Sequence, residues 1–335
     1  STIFTPGHTV EDLLGQKAKV FLNFKGSDHP TDSLLIMEGV VGSYTFTGKG
    51  TCKVVVDHVA QLKRQEIFTE FSTELAVPLA NTVLDGGSIT VNDTSDFQTP
   101  SADMETYVRI GDEIIRYTGK TSSTLTGITR AQFETVTPSS HDNDTEVTSF
   151  YRLQGNAINL ALKIMLSGGG YGLEKSTTAF GILSSTLTVA NSILIESKDI
   201  ETEYGLSIGD HVQITGSTSN NVTTTIKSFG KIDAARSYIV VDATLTNEDE
   251  QTATVKFKSQ YDVLNEGAGL LPTQLDVPSH TELLDLFSSN FADLDFFLEE
   301  SIQVDEFVNK ELYRPANLYS TPGARAGVKM TIPPL

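Results

Sequence analysis

The chain has 335 residues, 39% of them hydrophobic, with 43 acidic against 24 basic residues and a formal net charge of −19. That length suits roughly two to four domains. The charge argues against tight electrostatic binding of nucleic acid, which needs a basic stripe; the nearest approach to one is the short "QLKRQE" at 61–66.

In chain order, residues 18–58 alternate in strand fashion through "AKVFLNF", "SLLIMEGVVGSYTFTG" and "GTCKVVVDHV", separated by Gly-bearing turns. This is the pattern of an antiparallel meander. "DHVAQLKRQEIF" then places Val59, Leu62 and Ile67 at helical spacing, which predicts a short helix closing that sheet. Residues 89–150 read as β again. "NAINLALKIMLSGGG" carries Ile158, Leu162 and Met165 on one face, with Ala161 and Leu166 beside them, and predicts a helix stopped by the glycines at 168–170. A second Thr/Ser-rich β stretch runs over 186–258, with "SYIVVDATL" and "TATVKFK" as its clearest strands. The stretch 278–314 reads as helical, with Ser279 as N-cap and Glu282 three residues on, the spacing of a capping box. Most of the acidic excess falls here, and "GVKMTIPPL" resembles the start of a further strand element.

One phrase is written twice: "IGDEIIRYTGKTS" from Ile110 and "IGDHVQITGSTS" from Ile208. Both have the grammar of a β-hairpin: Gly-Asp, alternating residues, then Thr-Gly and a Ser/Thr turn. Each also follows a similar strand-like run, so two alike β insertions in a larger frame are expected. The divisions this predicts are a frame of 1–83 with 149–185, a small inserted β domain at 84–148, a second at 186–259, and a helical acidic segment at 260–335.

No chemistry stands out. No run reaches the ~18 apolar residues of a membrane span, and the first ten residues lack the pattern of a secretory signal. The single cysteine, Cys52, excludes an internal disulfide framework and reads as a buried small hydrophobe in a strand. The histidines at 8, 29, 58, 141, 211 and 280 show no paired ligand spacing. "VNDTSDF" (92–97) and "SHDNDTE" (140–146) resemble calcium loops only superficially and read as turns. "SGGGYG" (167–172) follows a helix instead of opening one, so it is no phosphate cradle. The carboxylate pairs Asp293/Asp295 and Glu299/Glu300 read as a solvated face. The expectation is of no enzyme, with no catalytic, cofactor-binding or metal-binding residues and no cofactor.

The module "YVRIGDEIIRYTGKTSSTLTGITRAQFETVTPSSHDNDTEV" (107–147) resembles a short β module of bacteriophage tail proteins. Gly111, Glu113, Tyr117, Gly119, Leu125, Gly127, Arg130, Thr135 and His141 fit its pattern. Ala131 stands where the module usually has Gly, so that turn is expected to differ. "LLIMEGVVGSYTFTGKGTCKVVVDHVAQLKRQEIF" and "GAGLLPTQLDVPSHTELLDLF" resemble parts of tail-tip baseplate hub proteins. The resemblance implies a mainly β fold, with tube-like antiparallel β-barrels as the frame, two inserted small β domains and a few helices. One hub barrel would lie in 1–83 and 149–185, and a second would begin in 260–335 and continue past Leu335. It further implies a homotrimer at the tail tip of a virion, joining the tail tube or distal tail proteins to the central spike or fibre. DNA would pass through its lumen without specific binding. The alternative is a receptor- or carbohydrate-binding tail protein, and below that a tail-associated hydrolase. The absence of Trp disfavours glycan binding.

Overall fold

The computed structural model describes residues 17–22, 34–48, 51–58, 66–101, 104–135, 138–177, 189–248, 253–287, 293–321 and 327–330. The protein is mainly β, built of antiparallel sheets with a few short helices. The alternating N-terminal segment forms the meander its pattern predicts: β1 (Lys17–Leu22), β2 (Leu34–Gly48) and β3 (Thr51–His58), paired in that order. Cys52 faces Phe46 across this register. Its side chain lies outside the described residues, as do 59–65 of the helix expected over 57–68. The described ends of that stretch are not helical: Asp57 and His58 belong to β3, and Glu66 bridges Gln303 while Ile67 N donates to Ile302 O.

Next come β4 (Ser72–Glu74), β5 (Ser88–Thr90), β6 (Thr106–Ile110), β7 (Glu113–Tyr117), β8 (Gly119–Lys120), β9 (Thr124–Thr126) and β10 (Glu146–Gly155). β10 is the spine of this region. It pairs with β6 on one side and with β4 at its start on the other. Val108, Ile110, Ile115, Tyr117 and Val147 point to one face of the sheet, where they pack with Leu75, Ile89 and Leu125.

Helix α1 (Ala157–Leu166) follows, capped by Asn156, whose Oδ1 accepts from Ile158 N at 2.9 Å. The predicted apolar stripe is wider than expected, because Ala157, Leu160 and Ile164 are buried as well. A helix wrapped on nearly all sides marks the centre of a core. Residues 268–270 close its C-terminal end, donating from Ala268 N to Ile164 O and from Leu270 N to Met165 O. Gly267 permits this approach, since a Cβ there would lie 2.5 Å from Ile164 O.

Strands β11 (Leu173–Thr177), β12 (Ser192–Ile195), β13 (His211–Thr215), β14 (Thr223–Lys231), β15 (Ser237–Val241) and β16 (Ala253–Lys258) make one six-stranded sheet in the order β11-β16-β13-β14-β15-β12. It encloses its own apolar core, including Ile193, Ile214, Ile239 and Phe257. Helix α2 (Ile200–Tyr204) sits between β12 and β13. The edge strands β11 and β12 approach each other without pairing. The fold is mainly β, and among the described residues no sheet closes into the barrel that the resemblance implies.

The repeated phrase does form a hairpin in both places. Residues 113–120 return along 124–129, and β13 returns along β14. What precedes each hairpin differs. Gly111-Asp112 is the turn from β6 into β7, whereas Gly209-Asp210 leads from α2 into β13. The two stretches therefore share a hairpin and not a topology. Both glycines have positive φ, +58° and +95°, which glycine adopts without strain.

The C-terminal third departs most from expectation. Helix α3 (Val277–Phe287) starts two residues before Ser279. Asp276 does the capping, accepting from Ser279 N at 3.4 Å, with Pro278 in the first turn. Residues Leu294–Leu298 are not helical but form β17, paired with β10. Leu294, Phe296 and Leu298 alternate onto the α1 core, a period of two inside a segment whose carboxylates suggested an amphipathic helix. Helix α4 (Val304–Phe307) runs into a π-turn over Val308–Tyr313, and β18 (Leu318–Thr321) pairs with β19 (Gly327–Met330).

Candidate functional site

The Gly111 turn places Glu113 as the first residue of β7, on the core side of the sheet, with its side chain fully buried. Arg130 meets it side-on: Nε donates to Oε1 at 2.9 Å and Nη2 to Oε2 at 2.5 Å. Ala131 N adds a bond to Oε1 at 3.2 Å, and His141 Nε2 lies 2.9 Å from Oε2. The guanidinium also donates to Ala80 O and Ser139 O, and Leu79 bridges His141 through the backbone. Burial pushes the Glu113 carboxyl up, but Arg130, His141 and the Ala131 amide outweigh it and hold the group below its usual range. Each carboxylate oxygen is matched by two partners, which leaves no free capacity for a substrate. This arrangement ties together the segments 79–80, 113, 130–131 and 139–141. It is a lock on the fold, built from charge-assisted bonds.

The other module residues also serve the backbone. Thr135 Oγ1 accepts from Ile114 N at 3.3 Å and donates to Gln132 O at 2.8 Å. The buried Tyr117 hydroxyl donates to Gln98 O, Leu125 is core, and Gly127 has φ +62° beside Thr118. Ala131 adopts φ +50°, a left-handed conformation that glycine takes freely and alanine does not, so the turn is strained. Phe133 (φ +56°) and Glu134 (φ +57°) share that strain. Ala131→Gly should relieve it and raise stability by about 1 kcal/mol. Urea unfolding measures this, with a rise in midpoint at unchanged slope as the expected result.

The strained turn delivers Phe133 onto the outer face of the sheet. Its ring centroid lies 5.0 Å from Tyr107 and 4.8 Å from Phe297, and the Arg152 guanidinium sits 5.0 Å from it. Phe150 completes the aromatic group, 5.8 Å from Phe297. Ion pairs flank these rings. Arg152 binds Asp295 through two bonds, at 2.9 and 2.8 Å, which holds Asp295 below the usual carboxylate range. Arg109 pairs with Glu299 at 2.5 Å. Phe297 remains 47% exposed.

The remaining sequence candidates resolve into turns and ties. Asp93 accepts from Ser95 N and Ser95 Oγ, closing an Asx turn. The Lys120 ammonium fills the middle of that 92–97 loop, donating to the carbonyls of Thr94, Ser95 and Phe97. The Asp142 carbonyl accepts from Thr145 in the other calcium-like stretch. The glycine-rich loop wraps a carboxylate of its own chain, with Gly168 N and Gly170 N donating to Asp262 at 3.0 and 2.6 Å. His280 lies between Asp276 O and the Tyr313 hydroxyl, 2.8 Å from each. His211 pairs in β13, and the side chains of His8, His29 and His58 lie outside the described residues. Of the carboxylate pairs, Asp295 is spoken for by Arg152 and Glu299 by Arg109, while Asp293 and Glu300 are exposed. Among the described residues no group of three or more His, Cys, Asp or Glu side chains is placed to hold a metal ion. No helix among them is long and apolar enough to cross a membrane.

The spacing of Glu113, Arg130 and His141 carries no metal or nucleophile signature, so sequence reasoning on chemistry passes over them. Only the resemblance marks them. No protein-family model matches the chain, and no curated protein matches it. Among solved structures, Phage phi92 endosialidase is similar at 13% identity over 65% of this chain, with a TM-score of 0.16. The aligned part spans 33% of that protein, and a likeness so slight carries no argument about fold or activity.

Proposed function

We propose that this chain is a structural component of a phage tail. What supports the reading is the Tyr107–Val147 module. The residues it shares with the tail-protein pattern form, in this chain, the Glu113–Arg130–His141 lock and the turns around it, so they act here as one structural unit. The finer form of the proposal is a homotrimeric baseplate hub that joins the tail tube or distal tail proteins to the central spike or fibre. Its frame would surround the DNA channel, and the carboxylates of 282–311 would face the duplex. Like charges there would keep the genome from adhering.

A second reading is a receptor- or carbohydrate-binding tail protein, favoured by the exposed Phe297 with its flanking Arg–carboxylate pairs. Hydrolysis ranks below both. Two measurements test the tail location and the hydrolytic reading. Gold-labelled antibody against the chain should mark the tail tip of intact particles, and labelling of the capsid alone would overturn the proposal. Purified protein incubated with host peptidoglycan or capsule should release no fragments. Turnover abolished by mutating one carboxylate would replace the structural reading with the enzymatic one.

A further inference from the structure

β17 is the outermost strand of its sheet. β10 pairs with one side of it, and among the described residues no strand pairs with the other. An edge of this kind presents a row of N–H and C=O groups to any extended chain that approaches, and folded proteins blunt such edges with charge. Here the blunting has one sign. The strand and its flanks read "DLDFFLEE" over 293–300, four carboxylates and no cation. Asp295 and Glu299 are engaged by Arg152 and Arg109 across the sheet, whereas Asp293 and Glu300 have no cationic partner among the described residues.

Beside the end of the strand lies a cavity of ≈ 390 Å³, lined by Glu70, Glu146, Glu299 and Glu300 with Arg109 as its only cation among the described residues. Arg109 is already paired with Glu299, so the cavity is short of positive charge. On the outer face of the strand, Phe297 offers a half-exposed ring backed by Phe133 and Phe150. A second copy of this edge would bring carboxylates against carboxylates, on a chain already carrying −19. A strand bearing lysine or arginine meets the opposite situation: an edge to pair with, a ring to rest on, and a cavity whose carboxylates outnumber its arginine.

We infer that β17 is a β-addition site for an extended, lysine- or arginine-bearing segment of a different protein. Main-chain pairing with the free edge supplies affinity, and side chains on alternate positions supply the choice of partner. One face of the added strand rests an apolar side chain on Phe297, and its cation enters the cavity beside Glu70, Glu146 and Glu300. This inference rests on no placement of the chain in a particle, so it can fail separately from the proposed role; a partner strand here would cover Asp293 and Glu300 and leave the other carboxylates of 282–311 to face a duplex.

The test uses the full chain and a fluorescein-labelled octapeptide of valine, threonine and three lysines. Two analogues serve as controls, one with glutamate for lysine and one N-methylated at alternate amides. Anisotropy at physiological salt should show saturable binding of one lysine peptide per chain. The N-methylated peptide, which keeps the charge but cannot pair its backbone, should bind at least about tenfold more weakly, as should the glutamate analogue. Asp293→Lys with Glu300→Lys should weaken the lysine peptide by about tenfold or more, while Asp142→Lys with Glu201→Lys, the same change of charge elsewhere, should stay within about twofold. Equal binding of the N-methylated peptide, equal loss in both double variants, or no saturable binding would each overturn the inference.

Discussion

Glu113→Ala is expected to destabilise the protein by about 3–5 kcal/mol, the cost of breaking a buried ion pair and leaving one charge behind. The orphan would be Arg130, whose side chain is only 2% exposed and would keep only the carbonyls of Ala80 and Ser139 as acceptors. The Ala131 amide would also lose its acceptor, in a turn already strained by three left-handed residues. Arg130→Ala should cost a similar amount, because the Glu113 carboxylate would keep only His141 and one amide. Replacing Glu113 and Arg130 together by leucine should cost less than the sum of the single losses, since no charge is then stranded. Urea unfolding of the four proteins measures these losses. Single losses below about 1 kcal/mol would mean that the cluster does not hold the fold.

Asp210 should make stability fall as pH rises, the reverse of the usual carboxylate. It is 2% exposed with no cation beside it among the described residues, and burial pushes its carboxyl up to about 6 against the pull of the Gln260 and Ser207 amides. Its folded value thus lies above the ordinary 3.8, and the folded state holds the proton more tightly between the two. The contribution is fully present below about pH 4 and is lost as pH rises through about 6, a swing of about 3 kcal/mol. Glu113 acts with the opposite sign. Its lowered value stabilises the fold above the ordinary carboxylate range, and that support is lost as pH falls. Asp210→Asn should therefore flatten the slope between pH 4 and pH 7 while leaving the acid-side loss in place. Unfolding midpoints at several pH values read this directly. An unchanged slope in the variant would show that Asp210 is not the group responsible.

Much of the β architecture was legible because its physics is local. The meander of β1 to β3, the strands β15 and β16, and α1 with its apolar positions all follow from periodicity and turn residues. The hairpin inside the repeated phrase was legible for the same reason. The difference in topology was not, because it depends on whether β6 or α2 delivers the chain to the Gly-Asp turn. β17 was misread as helix: its carboxylates outweighed the alternation of Leu294, Phe296 and Leu298, which becomes decisive only once β10 is in place to pair with it. Helix α3 follows from its pattern but starts earlier than Ser279 implies, since Ser279 and Asp276 both suit a cap and only the backbone geometry separates them. The lock was the least legible feature. Glu113, Arg130 and His141 are brought together by strand pairing across 17 and 28 residues, a juxtaposition that spacing alone does not reveal.

The most direct measurement of the proposed role is a reconstruction of the intact tail, with this chain located by its density. The proposal predicts three copies in a ring at the tail tip, with the acidic stretch of 282–311 on the channel side and the 107–147 modules at the periphery. A single copy bound to the outside of the tail, or a channel at that level lined mainly by lysine and arginine, would contradict it.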